Sequence, residues 1–233
     1  MGPRPLIALL SLSAGACLYE AGTPAFTGFD QPLHRELARV RLLHLADFLG
    51  PIEARWEAAL WAEALPPGGA SRYLSVPAGA HQIELRRVRG EPVLRQALWI
   101  PDTTWRAAYA VMLYRRGGEP ALRRFDERRL LEAREAHLLV QVVHLADGTP
   151  PLQVHFETGY GSLKTPTLRF EEAAPPVDFY GFGEDDLSVR VRIYLPNGSL
   201  WAQSAQTLRR GQAYWLLLGP ERTYWFLVPR PSG

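Results

Sequence analysis

Apolar and polar residues alternate with a period of two in many short stretches of this chain, and Gly and Pro separate them, as strands and their turns require. Residues 38–44 (ARVRLLH) and 138–144 (LLVQVVH) read as strands, and Ile52, Ala54 and Trp56 share one face of another. Ile83 and Leu85, then Val189, Val191 and Ile193, repeat the pattern further on, with turns at Gly90 and at Asn197-Gly198. Asn-Gly between alternating segments is a strong hairpin signal. Tyr224, Trp225, Phe226, Leu227 and Val228 read as a buried last strand, ended at once by Pro229 and Pro231. Two stretches resist this reading. Residues 53–65 (EARWEAALWAEAL) score as helix on propensity; the alternation assigns 52–57 to a strand, and 58–64 fit either state. Residues 126–136 (DERRLLEAREA) open acidic and predict a short helical linker.

The strands come in two sets. His44-Leu45-Ala46-Asp47 returns as His144-Leu145-Ala146-Asp147, and the residues that follow each run align without a gap from Pro51 to Trp56 and from Pro151 to Phe156. Tyr109 and Tyr214 align within a late shared segment. A spacing of 100 residues marks a duplicated domain, not a solenoid turn. The expected architecture is all-β: two tandem immunoglobulin-like antiparallel β-sandwich domains at residues 37–125 and 137–230, joined by the linker at 126–136. Most of Trp56, Trp61, Trp99, Trp105, Trp201, Trp215 and Trp225 are expected in the sandwich cores.

Both copies resemble the DUF4397 family, a domain of unknown function found in exported bacterial proteins, often in tandem. The resemblance rests on residues 38–44 followed by the Pro51–Trp56 segment, on Leu65, Tyr73 and Val76-Pro77-Ala78-Gly79 before a strand, and on Gly211-Gln212-Ala213-Tyr214-Trp215. It covers roughly residues 38–120 and 137–219. The chain departs from the family at the acidic residue after the loop, which is Glu53 in the first copy and Gln153 in the second. The resemblance implies a fold and an exported location, and no reaction.

Composition adds a location and removes some functions. The 233 residues carry a formal charge of +2 with the charges dispersed, so no basic face for nucleic acid is expected. Cys17 is the single cysteine, which rules out an intrachain disulfide and a CxxC zinc site. Before it, Arg4, the apolar residues 6–12 and the small residues Ser13, Ala14, Gly15 and Ala16 read as a signal peptide over 1–16. That stretch is too short to span a bilayer, which takes roughly 20 residues. The small residues before Cys17 resemble a bacterial lipobox, with Ala14 where a larger aliphatic is usual, and the resemblance implies thioether attachment of diacylglycerol to Cys17. Residues 17–36, with Gly22, Pro24, Gly28 and Pro32, then read as a tether reaching on the order of 25 Å.

Three groups invite chemistry. His44 with Asp47, and His144 with Asp147, pair the residue types of a general base and its orienting carboxylate. No nucleophile accompanies them, and the repeat suits a structural strand end in which the aspartate closes the loop. Asp178, Glu184, Asp185 and Asp186 could offer oxygens to calcium, without EF-hand spacing. Tyr160, Phe179, Tyr180 and Phe182 lie in the long 159–186 segment, where loop aromatics build recognition surfaces or pack beneath the loop.

The whole predicts a non-enzymatic cell-envelope lipoprotein, exported and facing the periplasm or exterior. Its sandwiches would bind or space an envelope protein or glycan, with the membrane engaged through the lipid and no cofactor. The alternative is a calcium- or carbohydrate-binding accessory module using the 159–186 loop.

Overall fold

The computed structural model describes residues 37–101, 107–132, 136–180 and 183–229. The signal peptide, Cys17, the tether, Trp105 and Phe182 lie outside them. The first copy runs β1 (Ala38–His44), a 3-10 turn (Asp47–Leu49), β2 (Ile52–Trp56), β3 (Ala59–Leu65), β4 (Leu74–Val76), β5 (Gly79–Arg87), β6 (Pro92–Ile100), β7 (Ala108–Arg116) and β8 (Glu119–Asp126). A four-residue helix, α1 (Arg128–Leu131), sits in the predicted linker. The second copy runs β9 (His137–His144), β10 (Gln153–Thr158), β11 (Gly161–Lys164), β12 (Val177–Tyr180), β13 (Asp186–Tyr194), β14 (Leu200–Arg209), β15 (Ala213–Leu218) and β16 (Thr223–Val228).

Each copy is a sandwich of two four-stranded sheets with the same strand order: β4-β1-β7-β8 over β3-β2-β5-β6, and β12-β9-β15-β16 over β11-β10-β13-β14. The register agrees residue by residue, since Val40 lies opposite Tyr109 as Val140 lies opposite Tyr214. The sheets are mixed and not purely antiparallel, because β1 runs parallel to β7 and β9 to β15. Residues 59–65 are a strand despite their helical propensity: Trp61 and Leu65 are buried in the first core, a case of packing overriding local preference.

Two of the three apolar cores fill the sandwiches. The third lies between the copies, where the outer face of the first copy's β1-β7-β8 packs on the outer face of the second copy's β9-β15-β16. This is why β1, β7 and β15 are buried almost without interruption, on both faces, and why β7 and β15 are nearly continuous apolar runs. Equivalent positions from both copies contribute to it: Leu43 and Val143, Leu45 and Leu145, Met112 and Leu217, Phe125 and Phe226. The same patch used twice is the mark of an isologous, approximately two-fold contact. The tryptophans divide accordingly. Trp56 and Trp61 pack edge to face in the first core, with ring centroids 5.3 Å apart. Trp201 and Trp225 are half-buried against the second core, so four of the six described indoles line the sandwich cores as expected, whereas Trp215 fills the interface and Trp99 is exposed.

Candidate functional site

The repeated histidines close strand ends. His44 and His144 are fully buried. In each, Nδ1 accepts the N–H two residues on, from Ala46 or Ala146 at 3.2 Å, and Nε2 faces a loop carbonyl, Gly50 at 2.8 Å or Pro150 at 3.1 Å. An Nδ1 that accepts leaves the proton on Nε2, which then donates to that carbonyl. Burial lowers both imidazole pKa values, against a smaller opposing effect of the carbonyl. The aspartates bond away from these rings, across the interface. Asp47 accepts from Arg222 at 2.6 Å and from the Tyr224 hydroxyl, while Asp147 accepts the Gly117 N–H at 2.6 Å. Each copy's aspartate thus grips the last hairpin of the other.

The acidic residues proposed for calcium do not converge. Asp178 stands on β12, 2.8 Å from His137 Nδ1, whereas Asp185 and Asp186 face Arg210 and Arg209 at 3.7 and 3.5 Å. Glu184 is exposed. Among the described residues no group of three His, Cys, Asp or Glu side chains is placed to hold a metal.

The aromatic residues separate into floor and walls. Phe179 is buried and packs edge-on against Phe156, 5.6 Å between centroids. Tyr160 and Tyr180 are 62% and 71% exposed. They flank a cleft of about 270 Å³ between the two edge strands β11 and β12, lined also by Thr158, Ser162, Leu163 and Asp178. The His137 ring lies 4.9 Å from that of Tyr180, tilted by 34°. With Asp178 held by the same imidazole, Tyr180 and Asp178 are positioned by one residue from β9.

Among the described residues the first copy lacks the extension that builds this cleft, and the difference is countable. Trp56 pairs with Ile83 and Phe156 with Val191, so the second copy carries eight more residues over the same interval. Four of them lengthen the hairpin, since Trp56 pairs with Ala59 whereas Phe156 pairs with Leu163. The extension lifts Tyr160 beyond the sandwich. In the first copy, His81 instead packs on Trp56 at 5.0 Å and bonds Glu57 and the Pro77 carbonyl, closing that end. Sequence reading found Tyr160, Phe179 and Tyr180 but missed His137, Thr158, Ser162 and Leu163. The inserted residues around Gly159 and Gly161 were the available signal.

No protein-family model matches the chain, and no curated protein matches it. Among solved structures it is similar to a family CBM26 carbohydrate-binding module from Eubacterium rectale Amy13K in complex with maltoheptaose, at 9% identity and a TM-score of 0.26, covering 84% of this chain and 98% of that one. A DUF3823 family protein from Bacteroides ovatus is similar at 11% identity and a TM-score of 0.19, covering 74% of this chain and 98% of that one. Likenesses this distant assign no ligand.

Proposed function

We propose that the chain is a non-enzymatic cell-envelope lipoprotein, anchored through Cys17, whose second sandwich binds carbohydrate in the cleft between β11 and β12. The observation that carries the reading is the lengthened hairpin, which raises Tyr160 opposite Tyr180 over an apolar floor in one copy only. Exposed aromatic faces flanked by a few hydrogen-bonding groups suit a sugar ring, whose C–H face is apolar and whose rim is hydroxylated. Thr158, Ser162 and Asp178 supply that rim with hydrogen-bonding groups, and His137 holds Asp178 in place. Hydrolysis would need two carboxylates astride the bond, about 5–9.5 Å apart. Asp178 is the single carboxylate among the lining residues, which supports binding without turnover. Export rests on the signal-like residues 1–16, the lipobox resemblance at Cys17 and the DUF4397 resemblance.

A glycan array probed with the chain, followed by calorimetry on the best ligand, tests the site. Tyr160→Ala and Tyr180→Ala are each expected to weaken binding tenfold or more, equivalent to about 1.4 kcal/mol, with the melting temperature unchanged. Array silence, or tyrosine variants that bind as before, would refute the carbohydrate reading. Mass spectrometry of the mature N-terminus tests the anchor separately, and an unmodified Cys17 would remove it.

A further inference from the structure

The sandwiches present eight edge strands, and an open edge is a template for pairing with another chain unless it is short, charged, interrupted or covered. Seven show such a device. The strands β4, β11 and β12 have three or four residues each, and the last two carry Lys164 and Asp178. Charge runs along β8 at Glu119, Arg123, Arg124 and Asp126, and β3 is broken by register shifts and carries Glu63. The Leu227 carbonyl of β16 accepts from Arg41 at 2.9 Å. In the first copy, β6 holds Pro92 and Arg95 and is tied to β8: Gln96 bonds both backbone groups of Leu122, and Arg124 donates to the Trp99 carbonyl.

The equivalent of β6 in the second copy is β14, where the interruption is a single register shift at its very start, between Leu200 and Ala202, and from Ala202 to Leu208 no such device is present among the described residues. Among the described strands it is the longest, ten residues, with no proline and no charge from Leu200 to Leu208. Ser204 stands opposite Val191 as Gln96 stands opposite Ile83, so it occupies the place of the lacing glutamine. Its hydroxyl is too short to reach across, and it is buried without a partner. Gln203, Ala205 and Thr207 are exposed. Beyond the ladder to β13, no hydrogen bond engages the backbone of β14 between Leu200 and Leu208 among the described residues.

We infer that β14 pairs antiparallel with β14 of a second copy of this chain, joining two four-stranded sheets into one of eight. The occupant follows from charge and symmetry. Reversing a strand whose one charge, Arg209, stands at its end places that charge opposite the uncharged start, so no like charges meet. Because the other edge of the same sheet is the short, Lys164-bearing β11, the contact uses one patch twice and closes as a two-fold dimer instead of growing into a fibre. Anchoring of several chains on one membrane would raise their effective concentration further.

Sedimentation velocity of the full chain carrying Cys17→Ser, so that no lipid drives association, reads the result. A concentration-dependent dimer is expected. Gln203→Lys with Thr207→Lys should raise its dissociation constant at least tenfold at unchanged melting temperature, while Ser162→Lys with Leu163→Lys on β11 should leave it unaltered. Ala205→Cys should trap the dimer as a disulfide under oxidation in the same Cys17→Ser background. A chain that stays monomeric at every concentration overturns the inference. So does a dimer that survives the β14 lysines or dissociates with those on β11.

Discussion

Glu127 is the residue on which the two copies meet. It is 0% exposed, and its carboxylate accepts from Arg41 Nε at 2.9 Å and Nη2 at 2.5 Å, from Trp215 Nε1 at 2.6 Å and from the Tyr73 hydroxyl at 2.9 Å. Three of the four donors converge on Oε1 and one reaches Oε2, and burial next to that charge pushes the Tyr73 hydroxyl pKa up. Removing one partner of a buried pair strands the other, at a cost of about 3–5 kcal/mol. Glu127→Ala should therefore lose stability on that scale in urea unfolding, and Glu127→Gln, which keeps the shape, should lose less. The histidines predict a pH dependence. Both are neutral in the fold, with pKa values lowered by burial from an ordinary 6.5. Below that value the unfolded chain binds more protons than the folded one, so stability is full above about pH 6.5 and falls as the pH drops toward the lowered folded values. Unfolding free energy measured from pH 8 to 5 should show this decline, and His44→Gln with His144→Gln should flatten it.

At the scale of elements, the lengthened β10–β11 hairpin separates binding from folding. Replacing residues 157–162 by an Asn-Gly turn would restore the short hairpin of the first copy. The variant should keep its melting temperature within a few degrees and lose glycan binding entirely; retained binding would place the ligand elsewhere. Much of the strand layout was legible beforehand. The His-Leu-Ala-Asp repeat and the Tyr109–Tyr214 alignment set a register that the sheets reproduce. The parallel pairing of β1 with β7 was not, because a run buried on both faces looks alike in either orientation. Nor was the partnership of His137 with Tyr180, since those residues stand 43 positions apart and meet only through the pairing of β9 with β12. The aspartates misled for a related reason: Asp47 and Asp147 neighbour a histidine in sequence but bond to the opposite copy.

For the molecule as a whole, the interface decides how the copies unfold. Contacts between domains of one chain are usually polar and permit motion. Here fifteen buried apolar residues form a core of their own, which should couple the sandwiches into one cooperative unit. Calorimetry should show a single transition with equal calorimetric and van't Hoff enthalpies, and Met112→Glu, which places a charge in the interface, should split it into two. Two transitions in the unaltered chain would show that the third core does not couple them.

The position of β1 has a mechanical consequence. It is an interior strand, held over six residue pairs by β7 and three by β4, and the expected tether, residues 17–36, ends two positions before its first residue in sequence. Were the proposed anchor at Cys17 to transmit tension, a pull along the strand axis would load both ladders together in shear instead of opening one bond at a time. The Arg41 side chain, bonded to the Leu227 carbonyl, carries part of that load into the second copy, and a pull on one end of the chain is resisted by both halves.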